Sequence, residues 1–220
     1  MSFLTGVLDL LFPPRCVFCR RFLEKDESGI CGRCITELPY TSGGGEQVGK
    51  YFSLCVAPLY YDKDVRESIH RYKFQDAELY APVYGKLVAS CVRDRLSGQF
   101  DFISWPPLSQ KRLRERGYDQ AMLLAKACAA ELGAEAVPTL EKIRDTAKQS
   151  QTGAAEKRRA NIAGAYRVLD PERVRDKRIL LIDDVVTTGA TLDECARTLR
   201  RAGARAVFCA ALARGRDTFS

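Results

Sequence analysis

Apolar and polar positions follow two different spacings along most of the chain, and together they predict an α/β protein. Continuous apolar runs bounded by turn residues are typical of buried strands, whereas apolar residues three and four positions apart are typical of helices. The predicted strands are residues 53–61, 100–105, 179–182 and 206–212, and the predicted helices are residues 64–74, 78–96, 119–132 and 191–202. Fully apolar strands that alternate with helices favour a mostly parallel sheet covered on both faces.

The same spacing predicts which face of two helices is buried. In residues 78–96 the apolar stripe consists of Leu79, Val83, Leu87 and Cys91. In residues 191–202 it consists of Leu192, Cys195, Ala196 and Leu199. We expect each stripe to pack inward, because an amphipathic helix buries its apolar face.

The beginning of the chain differs in pattern from the rest. Residues 1–40 form a cysteine-rich module, residues 41–50 a flexible linker around three consecutive glycines, and residues 51–220 the α/β domain. The first twelve residues are apolar, but they lack the basic start of a signal peptide and contain Asp9, so they predict a short docking helix. No apolar run approaches the roughly 18 residues of a membrane span. We therefore expect a cytoplasmic protein without membrane insertion.

Composition excludes a disordered chain, because 46% of the residues are hydrophobic and 29% are charged. Residues 59–220 contain 29 basic and 22 acidic residues, so they carry the entire net charge of +7. A basic domain suits anionic partners such as phosphates or nucleic acid, although many soluble proteins are equally basic. The densest basic cluster is residues 111–116, which contain four Lys or Arg side chains.

Four of the nine cysteines form two C-x-x-C pairs that predict a metal site. They are Cys16, Cys19, Cys31 and Cys34. Four thiolates at this spacing can surround Zn²⁺ in a closed, structural site. A thioredoxin-like redox pair is the alternative, but that motif occurs once, after a strand and at the start of a helix. The other cysteines lie among apolar residues and predict small core residues: Cys55, Cys91, Cys128, Cys195 and Cys209.

A second candidate site is the strand–loop–helix run of residues 178–191. Its apolar strand delivers Asp183 and Asp184 to the carboxyl edge of the sheet, where ligands of open α/β folds bind. The following loop of hydroxyl residues opens a helix, whose N-terminus favours a phosphate. Because carboxylates repel phosphate, the acidic pair is suited to hydroxyl groups or a metal. A phosphate beside a diol is a phosphorylated ribose. A helix cap with a buried acidic pair is the simpler alternative, but it explains neither the two acids nor the three threonines.

Residues 178–191 resemble the phosphoribosyl-pyrophosphate motif of type I phosphoribosyltransferases. Together with the cysteine module, the chain is similar to the ComF/GntX family of competence and DNA-utilisation proteins over essentially its whole length. The resemblance includes residues 71–74, 106–108, 116–120, 158–161 and 164–166. It departs from the family pattern at Asp119, where asparagine is usual, and in residues 149–153, which offer two glutamines without the usual leucine.

The resemblance implies a type I phosphoribosyltransferase fold with a small N-terminal zinc-ribbon-like module. It also implies that Asp183 and Asp184 are catalytic residues that hold the ribose hydroxyls, with Mg²⁺ accompanying phosphoribosyl pyrophosphate. Lys73 and Arg116 would bind on the pyrophosphate side, and residues 142–161 would close as a lid. The remaining substrate-binding residues, chiefly for the 5′-phosphate, would be Val185, Thr187, Thr188, Gly189, Ala190 and Thr191.

Two functions follow from this resemblance. The first is a phosphoribosyltransferase that works in DNA uptake, natural competence or nucleotide utilisation. The second is a non-catalytic adaptor, which binds single-stranded DNA or senses a ligand through the same site. Its partners would include single-stranded DNA and the DNA-uptake machinery.

Overall fold

A mostly parallel sheet forms the centre of the molecule, as the alternation of apolar strands and helices predicts. The structure is a computed structural model that describes residues 13–75, 77–145 and 162–216. Its strands, in chain order, are β1 (Cys55–Val56), β2 (Leu59–Tyr60), β3 (Phe102–Ser104), β4 (Leu140–Lys142), β5 (Tyr166–Val168), β6 (Arg178–Val186) and β7 (Ala206–Arg214).

Helices cover both faces of this sheet. The helices of the described residues are, in chain order, α1 (Gly32–Glu37), α2 (Lys63–Phe74), α3 (Ala77–Leu96), α4 (Gln110–Arg116), α5 (Gln120–Leu132), α6 (Pro171–Val174) and α7 (Ala190–Arg201). Of these, α1 belongs to the N-terminal cysteine module. No helix of the described residues is both long and apolar enough to cross a bilayer.

The central strand is β6, which is buried over most of its length. It pairs in parallel with β3 on one side, where Leu180 lies opposite Ile103, and with β7 on the other, where Leu180 lies opposite Phe208. The short strands β1 and β2 pair in parallel with successive parts of β7. Parallel strands place their carboxyl ends at one edge, so the ends of β3 and β6 border the same space.

Two hydrophobic cores lie on opposite faces of the sheet. Leu180 and Ile182 of β6 point into the first core, which α2, α3 and α5 cover. Ile179 and Leu181 point into the second core, beneath α7 and the β4–β5 hairpin. This alternation is the period of two that a strand imposes on its side chains. In the first core α3 and α5 approach closely at Gly85. A Cβ atom built at this glycine would lie only 2.7 Å from the Cβ of Ala127, so a larger residue would not fit.

The predicted helices are confirmed, and so are the predicted strands, except that residues 53–61 form two short strands, β1 and β2, instead of one. In the predicted stripe of α3, Cys91 is buried and Val83 and Leu87 are partly buried against the first core, but the helix buries a neighbouring face more deeply. Leu79 is 70% exposed, whereas Tyr80 and Tyr84 are buried. The apolar spacing missed this face because a tyrosine can be buried when its hydroxyl finds a partner. The stripe of α7 and the five scattered cysteines are buried as expected.

Residues 41–50 differ from the flexible linker that the glycines predict. The Thr41 hydroxyl donates to the Ala57 carbonyl at 2.6 Å, and Gln47 and Cys55 exchange two backbone hydrogen bonds. The glycines allow a short 3₁₀ turn over Ser42–Gly44, in which φ of Gly43 is +61°. The segment is thus hydrogen-bonded alongside β1, and the division of the chain into three parts stays a prediction. The expected docking helix of residues 1–12 lies outside the described residues.

Candidate functional site

A cavity of about 340 Å³ opens at the carboxyl ends of β3 and β6. Its described lining combines carboxylates, basic side chains, hydroxyl groups and apolar surface. The lining residues are Tyr61, Lys73, Pro106, Pro107, Leu108, Arg112, Arg116, Gln120, Lys142, Ile162, Tyr166, Asp183, Asp184, Val185, Thr187 and Thr191. The fold therefore brings the acidic pair of β6 together with Lys73 and Arg116, which are distant in sequence.

The two carboxylates at the end of β6 lie on opposite sides of the strand. Asp183 is on the side of Tyr166 and Cys195, where α7 packs. Asp184 is on the side of Tyr72 and Tyr84, where α2 and α3 pack. Successive residues of a strand point to opposite faces, so two adjacent acids cannot both enter one core. Both nevertheless line the cavity, because the sheet ends there.

Lys73, in the last turn of α2, forms an ion pair with Asp184. The Nζ atom lies 2.7 Å from Oδ2, and the Asp184 side chain is 6% exposed. Burial alone would lower the pKa of the Lys73 ammonium, but the charge and hydrogen bond of Asp184 outweigh it and raise this pKa. Lys73 is therefore charged and held at the floor of the cavity.

Among the described residues Asp183 forms no ion pair of this kind, although the charge of Lys73 also acts on it. Its Oδ1 accepts a hydrogen bond from the backbone N–H of Asp184 at 2.8 Å. Burial and the negative charge of Asp184 raise the pKa of Asp183 to about 7. Near neutral pH this carboxyl group can therefore change its protonation state.

The loop after β6 brings hydroxyl groups and a helix N-terminus to the cavity. Thr187 and Thr191 line it, and Gly189 precedes α7 with a φ of +71°. The Thr188 hydroxyl accepts from the N–H of Ala190, the first residue of α7, at 3.5 Å. The other N–H groups of this helix N-terminus and the helix dipole favour an anion. Thr188 and Gly189 are absent from the described lining, and Ala190 faces a neighbouring cavity with Asp193 and Arg197. Only part of the predicted loop thus reaches the cavity through its side chains.

Basic side chains from two elements line the opposite wall. Arg112 and Arg116 come from α4, and Lys142 comes from β4. Arg116 donates to the Gln120 side chain and lies 5.0 Å from the centre of the Phe74 ring. Burial, and then the charge of Arg112, lower the pKa of Lys142. This wall would attract an anionic group into the cavity.

The four cysteines of the N-terminal module form a second cluster. The sulfur atoms of Cys16, Cys19, Cys31 and Cys34 all lie within 4.8 Å of one another, and that of Cys19 is 3.5 Å from that of Cys31. Four thiolates around Zn²⁺, each about 2.3 Å from the metal, would be about 3.8 Å apart. The cluster therefore fits zinc in a closed site without an open coordination position, which is a structural role.

The module packs directly on the α/β domain. Phe18, between the first two cysteines, is 2% exposed, and its ring centre lies 5.7 Å from that of Tyr84. The Ser68 hydroxyl donates to the Val17 carbonyl at 2.5 Å. Because Ser68 has one proton and uses it there, the Tyr84 hydroxyl donates to Ser68. Residues of the module and of α2 and α3 thus share the first core.

Comparison with known proteins identifies both parts of the chain. A double zinc ribbon domain matches residues 7–56, and a phosphoribosyl transferase domain matches residues 119–218. Competence protein F of Haemophilus influenzae is 29% identical over 224 residues, which cover 91% of this chain and 96% of that protein. DNA utilization protein YhgH of Salmonella typhi is 31% identical over 182 residues, which cover 80% of this chain and 74% of that protein. The chain belongs to the ComF family.

The ComF-family chain thus has a phosphoribosyltransferase-like fold and a zinc ribbon module at its N-terminus. The zinc ribbon match and the four-cysteine cluster support structural zinc over a redox role. Among solved structures, that of the allosteric regulatory enzyme of purine biosynthesis matches with a TM-score of 0.39 and 18% identity. The match covers 60% of this chain and 25% of that one.

Asp119, where this ComF-family chain departs from the usual asparagine, holds the loop that borders the cavity. Its Oδ2 accepts from the N–H of Leu108 at 2.9 Å, and its Oδ1 caps α5 by accepting from the N–H of Met122 at 3.1 Å. Burial raises the pKa of Asp119. The carboxylate therefore supports the proline-containing loop after β3.

Several cavity residues escaped the sequence analysis of this ComF-family chain. Tyr61 carries no motif, and Gln120 and Tyr166 lie in segments of family resemblance for which the sequence analysis gave them no role; all three line the cavity. Lys142 was assigned to a lid, but it lies in β4, which pairs antiparallel with β5. A strand of three residues is too short to show a period. The rest of the expected lid, residues 146–161, lies outside the described residues.

Proposed function

We propose that this ComF-family protein binds phosphoribosyl pyrophosphate with Mg²⁺ in the cavity at the end of β6. The supporting observation is the composition of the lining, which combines two carboxylates with hydroxyl groups and basic side chains. Thr187 and Thr191, with the N-terminus of α7, would hold the 5′-phosphate. Asp183 and Asp184 would accept hydrogen bonds from the ribose hydroxyls.

The basic wall, together with Lys73 at the floor of the cavity, would hold the pyrophosphate group. Lys73, Arg112, Arg116 and Lys142 supply four cationic side chains, against two carboxylates in the described lining. Mg²⁺ prefers oxygen ligands and commonly binds through substrate phosphates, so it would enter with the pyrophosphate. When bound, it would neutralise charge on this group.

In the proposed reaction the bond between the anomeric carbon and a pyrophosphate oxygen breaks, and a bond from an acceptor nucleophile forms. Pyrophosphate leaves with the bonding electrons, which builds negative charge on it and positive charge on the ribose ring. The basic wall stabilises the first charge, and the carboxylates of Asp183 and Asp184 stabilise the second. Fixing both ends of the ligand also aligns the anomeric carbon with the acceptor.

Calorimetry with phosphoribosyl pyrophosphate and Mg²⁺ tests the binding proposal. We expect binding by the parent chain, no detectable binding when Asp183 and Asp184 are both changed to Asn, and weaker binding by Thr191→Val. Thr198→Val is the matched control, because Thr198 is on the same helix but donates to the Glu194 carbonyl at 2.9 Å. The proposal is wrong if the parent chain does not bind at millimolar ligand, or if the double Asn variant binds as tightly as the parent.

A second candidate is an adaptor role in DNA uptake or utilisation, in which the chain binds single-stranded DNA. It is favoured by the net charge of +7 and by the names of the relatives, a competence protein and a DNA utilization protein. Within α4, Lys111 and Arg114 are exposed, whereas Arg112 and Arg116 line the cavity. Changing Lys111 and Arg114 to Gln should weaken salt-dependent DNA binding without affecting the cavity. Pyrophosphate release with candidate bases distinguishes the enzyme from the adaptor.

A further inference from the structure

The last turn of α2, residues 71–74, connects the zinc module to the cavity. Each of its four side chains contacts a different part of the molecule. Arg71 contacts the module, Tyr72 contacts Gln120, Lys73 contacts Asp184, and Phe74 lies against Arg116. We call these four residues the connecting turn.

On the side of the zinc module, Arg71 holds the backbone between the first two cysteines. Its Nη2 donates to the carbonyls of Val17 at 3.1 Å and Phe18 at 2.6 Å. Its Nε donates to the hydroxyl of Tyr80 at 3.1 Å. The Val17 carbonyl also accepts from the Ser68 hydroxyl, so the bond to the Phe18 carbonyl is the contact that depends most on Arg71. A planar guanidinium group can make all three bonds at once and fixes the turn in orientation.

On the side of the cavity, three contacts depend on the same turn. The Tyr72 hydroxyl donates to the Gln120 carbonyl at 2.6 Å, and the Tyr118 hydroxyl donates to the Tyr72 carbonyl at 2.7 Å. Lys73 reaches Asp184 at 2.7 Å. Residues two apart on a helix are separated by about 200° around its axis. Arg71 and Lys73 therefore project from opposite sides of one turn, the first toward the module and the second toward the cavity.

We propose that Arg71 is a positioning residue, through which the zinc-bound module fixes Lys73 in the cavity. Zinc holds residues 16–19 in a closed loop, Arg71 hydrogen-bonds to that loop, and the connecting turn presents Lys73 to Asp184. The inference rests on the proposed function, since Lys73 is taken to bind the pyrophosphate side of phosphoribosyl pyrophosphate. Loss of zinc, or of the Arg71 hydrogen bonds, loosens the connecting turn and thereby weakens ligand binding in the cavity.

A double-mutant cycle between Arg71 and Lys73 tests the proposal on the full-length chain. Calorimetry gives the Kd for phosphoribosyl pyrophosphate with Mg²⁺ in the parent, Arg71→Met, Lys73→Met and the double variant. We expect Arg71→Met to raise the Kd about tenfold, the size of one charge-assisted hydrogen bond. In the Lys73→Met background the same change should have no further effect. Zinc content, measured by elemental analysis, should stay at the parent value in Arg71→Met.

Two further measurements separate positioning from a general loss of structure. Arg66→Met is the matched control, because Arg66 is an exposed arginine on the same helix, and its Kd should equal that of the parent. Hydrogen exchange of the amides of residues 72–75 should be faster in Arg71→Met, while exchange in β6 should be unchanged. If Arg71→Met does not fold, Arg71→Lys replaces it, because it keeps the charge but has one donor nitrogen in place of the two, Nε and Nη2, that Arg71 uses.

The possible outcomes are distinct. If the parent chain does not bind the ligand, the proposed function fails, and this inference fails with it. If the parent binds but Arg71→Met binds equally well, only this inference is overturned. The same holds if the losses from Arg71→Met and Lys73→Met are additive, because Arg71 would then act independently of Lys73.

Discussion

The ammonium group of Lys73 lies 2.7 Å from Oδ2 of Asp184, across 111 positions of sequence. This contact joins the end of α2 to the end of the central strand. It also distinguishes the two acids of the site, because Asp184 is paired, whereas Asp183 sits beside a like charge. Replacing each of the two aspartates by asparagine should therefore change the stability of the protein differently.

We expect Asp184→Asn to lower the free energy of unfolding by about 1–3 kcal/mol at pH 8, because it leaves a mostly buried ammonium group without its carboxylate. Asp183→Asn should leave this free energy unchanged or raise it, since it removes a repulsion. Urea unfolding of both variants measures the difference. Equal destabilisation by the two substitutions would contradict the conclusion that only Asp184 is stabilised by an ion pair with Lys73.

The free energy of unfolding should depend on pH in a way that reflects the protonation of Asp183. Its pKa is raised to about 7 in the folded state, whereas an unfolded Asp has a pKa of about 3.9. Between these values the folded state binds more protons, so this group stabilises the fold at acid pH, and the effect is lost as pH rises through 7. From pH 5 to pH 8 the parent should lose at least about 1.4 kcal/mol relative to Asp183→Asn, the equivalent of one pKa unit.

Unfolding curves of the parent and Asp183→Asn at several pH values provide this comparison. Using the difference between the two proteins cancels the other titrating groups, among them Glu194 and Asp101, whose lowered pKa values act in the opposite direction. A difference that is constant from pH 5 to pH 8 would show that Asp183 titrates normally.

Phe18 should contribute strongly to stability although it lies in the small N-terminal module. Its ring is buried against Tyr84, so Phe18→Ala should cost about 3 kcal/mol in the free energy of unfolding. Phe22 in the same module is 51% exposed, and Phe22→Ala should cost less than about 1 kcal/mol. Chemical denaturation measures both. Similar costs for the two variants would mean that the module does not pack on the domain in solution.

The module should carry one zinc ion per chain, held by Cys16, Cys19, Cys31 and Cys34. Elemental analysis of protein purified without added metal checks this ratio. Because Val17 and Phe18 belong to the shared first core, Cys31→Ser should lower the melting temperature of the whole chain in a single transition. A zinc ratio near zero, with a disulfide among the four cysteines, would refute the site.

The sequence predicts those parts of the fold that have a strong local pattern. The apolar residues of β6 and β7, the helix of residues 120–132 and the loop after Asp184 were recognisable because each is contiguous. The hairpin of β4 and β5 was missed, since its strands have three residues each and lie 23 residues apart. A period of two cannot be detected over so short a run.

The site was predictable only in part, for a related reason. Asp183, Asp184, Thr187 and Thr191 belong to one run of sequence, and all four line the cavity. Lys73 was assigned by family resemblance, because nothing in its neighbourhood indicates a contact with Asp184. Its role depends on the tertiary packing of α2, and a single sequence gives no measure of that packing.

The opposite orientations of Asp183 and Asp184 give the two acids different surroundings. The environment of Asp183 includes Tyr166 and Cys195 from the second core, and that of Asp184 includes Tyr72 and Tyr84 from the first. A substitution that repacks the second core therefore acts first on the surroundings of Asp183, and one that repacks the first core acts first on those of Asp184 and its partner Lys73. Sequence changes beneath α7 and sequence changes beneath α3 thus reach the same cavity from opposite faces of the sheet.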